Sequence, residues 1–408
     1  MFRKQPQYQK QMLHWKTDRK ILLGITGGIA AYKIPQLVRL ITKAKCQAEI
    51  IMTDSAQKFA APMTLGTLSG RDVWTDSDFG HTIPHIKLSQ WAEVFVIAPC
   101  TANTLAKIAH GIADNLLTSA VIAASCPVLV FPAMNERMYS SPAVQENIAV
   151  LKRRGVFVAE PDSGALACGV SGKGRMPEPK EIMHEIFRAL CPVHDMAGKH
   201  VLVTAGPTHE YIDPVRYISN PSSGKMGVAV GRSAWYRDAD VRIIAGPVDV
   251  DGYGLDVVNV VSAGDMLGAV RANLGWADYV VKAAAVGDYR AKEFSGQKIK
   301  REGRDVISLE LVQNPDIAAE AGRLKREGQV LIGFAAETAN VAEHAREKLS
   351  RKNLDYILAN DVLADGAGFR VDTNTLRLIP RDPNRPEKVF TGLKEDIAFE
   401  VWSNVLAG

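Results

Sequence analysis

Several segments of this sequence set hydroxyls, amides and glycines where an apolar run ends, the place at which open α/β sheets present groups to a ligand. GITGGIAAYK, beginning at Gly24, puts Gly27 and Gly28 at a strand-to-helix turn, where backbone N–H groups can approach a phosphate. MTDSA carries Thr53 and Ser55, APCTANT carries Thr101, Asn103 and Thr104, and PAMNERMY places Asn135 directly after Met134. The glycine spacing is G-x-x-G-G and not the G-x-G-x-x-G of dinucleotide binders, which argues against nicotinamide chemistry. A helix cap would account for Thr101, Asn103 or Asn135 taken singly. It does not readily account for polar groups gathered at several strand ends at once.

Two further residues have chemistry but little local support. His85, in PHIKLSQWAE, reads alone as a structural histidine, and Cys168 reads alone as a buried small residue. Cys168 is, however, flanked by Gly164, Gly169, Gly172 and Gly174, a composition suited to a lid. The second half holds the strongest motif, HVLVTAGPTHEYIDPVRYISNPSSGKMG over 200–227, a strand, a long polar loop and a helix opening at Ser222, Ser223 and Gly224. Those groups suit an anion. The loop is not a Walker A loop, since Met226 follows Lys225. Lys282 stands in an apolar strand run, where an unpaired charge is costly, so it must reach a cleft or a carboxylate. Lys348 and Lys352, four apart, share one helix face, which is ordinarily a solvated face, and Phe334 would ordinarily be core.

The elements that would position these groups follow from hydrophobic patterning. KILLGIT (20–26), AEIIMT (48–53), EVFVIAP (93–99) and PVLVFPA (127–133) are apolar runs of strand length separated by helical stretches. Such runs indicate a parallel sheet covered on both faces. The pattern restarts with HVLVTAG (200–206), VRIIAG (241–246), DVVNVVS (256–262), DYVVKAA (278–284), QVLIGF (329–334) and DYILAN (355–360), and KIKREGRDVISLELV (298–312) suggests a β-hairpin. The expected organisation is a disordered basic tail over 1–19, one α/β domain over 20–190, a linker over 191–200 and a second α/β domain over 201–408.

Composition sets the class. A 408-residue chain exceeds what one hydrophobic core serves. A net charge of +4 is mild, fitting phosphorylated small molecules better than a nucleic-acid surface. The five cysteines are scattered, with no zinc-type pair and no disulfide framework, so a reducing cytoplasm is the expected setting. No apolar run has the ~18 residues of a membrane helix.

The motifs TGGIAAYK, PCTANT and PAMNERM, in that order, resemble the flavin-containing cysteine decarboxylases, and the 200–227 segment resembles phosphopantothenate–cysteine ligase. Further matches to the ligase are AAAVGDYR (283–290), KIKR (298–301), NPDI (314–317), GFAAET (333–338) and KLSRKNLD (348–355). The double resemblance, in the order decarboxylase then ligase, implies a bifunctional protein of coenzyme A biosynthesis. It implies a flavodoxin-like parallel-sheet domain binding FMN, followed by a Rossmann-like α/β ligase domain using CTP and Mg²⁺.

The resemblance also implies roles. FMN would be held by Gly27, Gly28, Ile29, Thr53, Ser55, Thr101, Ala102, Asn103, Thr104 and Met134. His85 matches an active-site histidine, Asn135 the group holding the substrate carboxylate, and Cys168 a proton donor on a mobile flap. In the ligase, CTP would meet Lys282, Ala283, Ala284, Asp288, Lys298, Pro315, Asp316, Ile317, Ala318, Phe334, Lys348 and Lys352. Asp288 would also serve the metal, Lys298 catalysis, Asn220 conversion of an acyl-cytidylate and Arg216 substrate positioning. Trimeric decarboxylase and dimeric ligase contacts would combine into a closed homododecamer. The partners are small molecules, namely 4′-phosphopantothenate, cysteine and CTP, with no nucleic acid or membrane. An alternative is an active ligase whose first domain only binds FMN as a regulatory module. The sequence departs from the families' usual patterns at Lys282, at Gly287 where alanine is usual, at Arg301 in place of a final lysine, and in PHIKLS around His85.

Overall fold

The computed structural model describes residues 14–78, 83–165, 171–300, 306–337, 341–361 and 371–407. The chain forms two compact units that part after Pro192.

In the first unit the strands are β1 (Lys20–Ile25), β2 (Gln47–Met52), β3 (Val73–Trp74), β4 (Val94–Cys100), β5 (Val128–Pro132) and β6 (Phe157–Val158). Among the described residues they make a six-stranded parallel sheet in the order β3-β2-β1-β4-β5-β6. Its helices are α1 (Ile34–Lys43), α2 (Pro62–Ser69), α3 (Pro84–Trp91), α4 (Ala102–His110), α5 (Leu116–Ala123), α6 (Glu136–Tyr139), α7 (Pro142–Arg153) and α8 (Pro179–Ala189). The alternation along β1 sends Ile21, Leu23 and Ile25 into a core shared with α1, α2 and α8, and Leu22 into a second core shared with α3, α4, α5 and α7. Both faces are therefore covered, as the continuous apolar runs require. Helix α1 docks through Ile34, Leu37, Val38 and Ile41, spaced i, i+3, i+4, i+7, each burial contributing roughly 1.5–3 kcal/mol. A ribbon of β7 (Asp162–Ala165) and β8 (Ser171–Arg175) completes the unit.

The second unit contains β9 (His200–Ala205), β10 (Glu210–Tyr211), β11 (Tyr217–Ile218), β12 (Asp240–Ala245), β13 (Asp256–Asn259), β14 (Tyr279–Lys282), β15 (Tyr289–Ala291), β16 (Leu311–Gln313), β17 (Val330–Glu337), β18 (Tyr356–Asp361), β19 (Thr373–Pro380) and β20 (Lys388–Leu393). Its helices are α9 (Lys225–Tyr236), α10 (Ala263–Leu274), α11 (Ile317–Leu324), α12 (Val341–Arg351) and α13 (Lys394–Leu406). The main sheet runs β13-β12-β9-β14-β17-β18-β19-β20, parallel up to β18 and antiparallel through β19 and β20, so it is mixed.

Three expectations are corrected. Residues 14–19 are not a disordered tail: His14–Lys16 form a 3-10 turn, and Trp15, 6% exposed, packs edge-on against Phe187. The Arg19 guanidinium also pairs with Glu93 at 2.8 Å. The expected linker is packed chain, with Cys191 and Met196 buried, the Met196 N–H donating to the Arg237 carbonyl at 3.0 Å, and Asp195 within 3.3 Å of the Arg237 guanidinium. The hairpin expected over 298–312 is instead a ribbon in which Tyr289–Ala291 pairs with Leu311–Gln313. Hydrophobic patterning marked the right neighbourhood but not the partner strand, which lies nine residues before Lys298.

Candidate functional sites

The first site forms where β1 lies between β2 and β4. The chain leaves β1 for β2 on one side and returns to β4 on the other, which is the switch point at which such sheets bind ligands. Gly27 and Gly28 follow β1, Thr53 and Ser55 follow β2, Thr101 to Thr104 follow β4, and Met134 and Asn135 follow β5. Four expected segments thus meet at one sheet edge. A Cβ on Gly27 would lie 2.4 Å from the Ser55 hydroxyl and 2.9 Å from its backbone carbon, so the glycine permits the β1 and β2 loops to touch. The Thr53 and Ser55 hydroxyls are 3.1 Å apart.

Thr26, buried and not singled out in the sequence, ties the centre of this edge together. Its hydroxyl donates to the Pro99 carbonyl at 2.8 Å and accepts the Thr101 N–H at 3.0 Å. A threonine directly before the glycine pair was the only available signal. Thr101 caps α4 by accepting the Thr104 N–H, and Asn135 caps α6 by accepting the Arg137 N–H at 2.9 Å. The capping readings and the ligand readings are compatible, because a helix cap stands at the carboxyl end of its strand, where such sheets bind ligands.

The β7–β8 ribbon sits against this edge. The Met134 N–H donates to the Gly174 carbonyl at 3.0 Å, and a Cβ on Gly174 would come within 2.2 Å of the Met134 oxygen. Cys168 lies outside the described residues, in the stretch 166–170 between the two ribbon strands. His85 is the second residue of α3, which is fixed by the Ser89 hydroxyl donating to the Ala120 carbonyl at 2.7 Å.

The second site is a cleft of about 480 Å³ at the carboxyl end of the second sheet, a volume suited to a nucleotide-sized ligand. Its lining contains Asn220, Ser222, Gly224, Lys282, Ala283, Ala284, Asp288, Pro315, Asp316, Ile317, Ala318, Phe334, Lys348 and Lys352. Lys225 and Lys394 line it too, though sequence reasoning did not select them for nucleotide contact. Lys225 pairs with Asp372 at 2.6 Å, and Lys352 with Asp316 at 2.9 Å. Gly224 opens α9 in the left-handed conformation, φ 73°, close against Gly206, which explains the glycine in the SSG turn.

Polar groups hold the walls. The Gly287 N–H donates to the Thr208 hydroxyl at 3.0 Å, Asn314 Nδ2 donates to the Gly287 carbonyl at 2.8 Å, and the Asn314 N–H donates to the Asp288 carbonyl at 2.8 Å. Asn220 Nδ2 donates to the carbonyls of Ala285 and Val286 at 3.3 and 3.1 Å. A Cβ on Gly287 meets nothing nearer than 3.5 Å. Gly287→Ala is therefore expected to leave activity intact and to raise stability by about 0.4–1 kcal/mol through the unfolded chain, read as a shifted urea midpoint. A loss of stability would contradict this wall geometry.

Lys298 and Arg216 are not among the cleft-lining residues. They are linked to each other through Ile299. Asp213, fully buried, accepts the Ile299 N–H at 3.1 Å and the Arg216 side chain at 2.6 Å, while Arg216 donates to the Ile299 carbonyl at 2.6 Å. Burial alone would raise the Asp213 carboxyl. The N–H of Val215, the Arg216 side chain and the N–H groups of Ile299 and Arg216 outweigh it and hold the group below the usual carboxylate range. Arg301 lies outside the described residues. Among the described residues no three His, Cys, Asp or Glu side chains converge on a metal position, and Asp288 is a single carboxylate. Nor is any described helix long and apolar enough to cross a membrane.

Lys282 is buried, and burial first, then Lys352, lower its ammonium group to about 7 against the opposing pull of Asp316. A base lowered in the folded state destabilises the fold while folded and unfolded chains are both protonated. That penalty fades as pH rises toward the ordinary lysine value of about 10.4. Lys282→Met should therefore exceed the parent in urea midpoint at pH 6, with the difference shrinking by pH 9.5. A pH-independent difference would contradict the burial argument.

Together these features define a parallel-sheet unit of flavoprotein type joined to an α/β unit bearing a lysine-rimmed, nucleotide-sized cleft. Comparison with known proteins agrees. Residues 9–190 match the family described as Flavoprotein, and residues 196–407 match the DNA/pantothenate metabolism flavoprotein C-terminal domain. The Coenzyme A biosynthesis bifunctional protein CoaBC of Bacillus subtilis is 42% identical over 400 residues, covering 96% of this chain and 97% of that protein. Its counterpart in Haemophilus influenzae is 41% identical, covering 95% and 97%, and that of Escherichia coli K12 is 42% identical, covering 90% and 92%. The chain belongs to this family: it is a bifunctional enzyme of coenzyme A biosynthesis, with a decarboxylase and a ligase activity.

Proposed function

We propose that the second unit joins 4′-phosphopantothenate to cysteine at the expense of CTP, and that the first unit decarboxylates the resulting 4′-phosphopantothenoylcysteine to 4′-phosphopantetheine. The observation that carries this reading is a likeness of 42% identity spanning 96% of the chain, which takes in both units and both sites.

In the ligase step the substrate carboxylate attacks the α-phosphorus of CTP and pyrophosphate leaves. The cysteine amine then attacks the acyl carbon and CMP leaves. The cations around the cleft, Lys225, Lys348, Lys352 and Lys394, would offset the triphosphate charge. Mg²⁺ would be held mainly by triphosphate oxygens, with Asp288 as its protein ligand, since this ion commonly uses one or two carboxylates plus substrate phosphates. Asn220, bonded to the backbone at Ala285 and Val286, is fixed at the cleft wall, where it can orient the acyl group.

The first site fits FMN: the Gly27–Ser55 contact and the Thr26 bridge hold the turns after β1, β2 and β4 together, gathering hydroxyls and N–H groups at one sheet edge. FMN, when bound, supplies the reversible two-electron oxidation of the cysteinyl thiol that lets CO₂ depart. Asn135 would hold the leaving carboxylate, His85 would border the reacting group, and Cys168 would return the proton. The chain would work as a homododecamer in a reducing compartment such as the cytoplasm. Heat-released cofactor tests the first-site reading: FMN by absorbance and mass is expected, and NAD or the lack of any flavin would contradict it.

A further inference from the structure

Lys282 ends a strand whose preceding residues belong to the core. Val280, on the same face, packs with Ile317, Leu331, Leu354 and Ile357, and Lys282 continues that row to the sheet's carboxyl edge. There it is in register with Thr204 on β9 and Gly333 on β17, neither of which brings a charge. The side chain is only 7% exposed, its Nζ has no hydrogen-bond partner among the described residues, and it lines the cleft.

The charged groups facing it come from the two elements packed alongside. Asp316, which caps α11, is already engaged, by Lys352 at 2.9 Å and by the Ala319 N–H at 3.0 Å. Lys352, just past α12, is itself a cation and repels a charge on Lys282. A methionine would fill the same channel without desolvating an amine, so packing does not explain a lysine here. An amine buried to its tip, short of a partner and opening onto a ligand cleft awaits an acceptor from the ligand.

We propose that Lys282 is a base-reading residue of the CTP site, donating to the O2/N3 acceptor edge of cytosine and gaining a proton as the nucleotide binds. The inference rests on the reading of this cleft as the CTP site, with the base lying between Phe334 and the backbone of 315–318. Cytosine presents two acceptors on that edge. Uracil carries a hydrogen on N3, a donor set against a donor, so the same contact disfavours UTP. Because burial leaves the amine with its proton readily lost, an acceptor placed against it draws a proton from solution.

Titration calorimetry of the full-length protein with CTP and with UTP, at pH 8 in two buffers of different ionisation enthalpy, tests this. For the parent, the heat of CTP binding should differ between the buffers by a fraction of a proton taken up, less at pH 6. Lys282→Met should show no such uptake, bind CTP roughly tenfold more weakly and lose most of its preference over UTP. Lys282→Gln, a neutral donor, should keep part of the preference while taking up no proton. CTP binding by the parent without proton uptake, or an unchanged CTP-to-UTP ratio in a folded Lys282→Met, overturns the role of Lys282. No CTP binding by the parent overturns the CTP-site reading itself.

Discussion

Asp213→Asn is expected to lower ligase turnover by about 10²-fold while CO₂ release from supplied 4′-phosphopantothenoylcysteine is unchanged. Asp213 anchors five donor contacts: the N–H groups of Val215 and Arg216 on one oxygen, and the Ile299 N–H with two Arg216 nitrogens on the other. Arg216 closes the circuit by donating to the Ile299 carbonyl. The backbone between Lys298 and Lys300 is thereby pinned on both sides. An asparagine presents one oxygen and an NH₂ that opposes three of those donors, so the lysine loop is released, and a displacement of about 1 Å in a catalytic group can lose 10²-fold. The sign of the pH effect follows from the low-lying carboxyl. Its contribution is present above the unfolded value near 3.9 and is lost only as pH falls through the still lower folded value. The clamp should therefore hold across pH 5 to 9. Pyrophosphate release by the variant, compared with CO₂ release by the same sample, is the measurement, and equal ligase turnover would remove Asp213 from the account.

Gly27→Ala should have the complementary effect, with loss of bound flavin and retained pyrophosphate release. The added Cβ would stand 2.5 Å from Ser55 Cβ and 2.9 Å from its backbone carbon, so the whole turn after β2 must shift. Overpacking of this kind costs about 1–3 kcal/mol, which, if expressed in cofactor retention, is roughly 5- to 150-fold in affinity. Gly28→Ala should disturb the turns less, because its Cβ would meet only a Thr101 methyl at 3.8 Å. The ratio of visible to ultraviolet absorbance in the purified variants reads the outcome. Full flavin content in Gly27→Ala would show that the β1 and β2 turns do not form the cradle.

The strands that carry both sites were legible because each is a continuous apolar run buried on two faces, a pattern dictated by local sequence alone; β4, Val94–Cys100, is buried at every residue. The positions of Thr101 and Asn135 were legible for the same reason, since a capping residue directly follows such a run. Lys282 was legible as an anomaly in an apolar strand, and the structure gives it the cleft that the anomaly demanded. Contacts between distant segments were not legible. Asp213 and Ile299 are 86 residues apart, and nothing in IDPVR announces a buried carboxylate aimed at KIKR. The antiparallel strands β19 and β20 escaped because a strand such as TNTLRLIP alternates polar and apolar residues instead of forming a solid run. Trp15 was missed because a basic, polar stretch hides the single large residue that docks it.

The central claim, that one chain performs both steps, is tested most directly in a single incubation. The purified protein is supplied with 4′-phosphopantothenate, cysteine, Mg²⁺ and CTP, with pyrophosphate and CO₂ followed separately and the product identified by mass. Equal amounts of pyrophosphate and CO₂, with 4′-phosphopantetheine accumulating, are the predicted result. Pyrophosphate without CO₂ would contradict the decarboxylase assignment and leave the first unit as a flavin-binding module, and neither product from folded, flavin-loaded protein would contradict the substrates assigned to both sites.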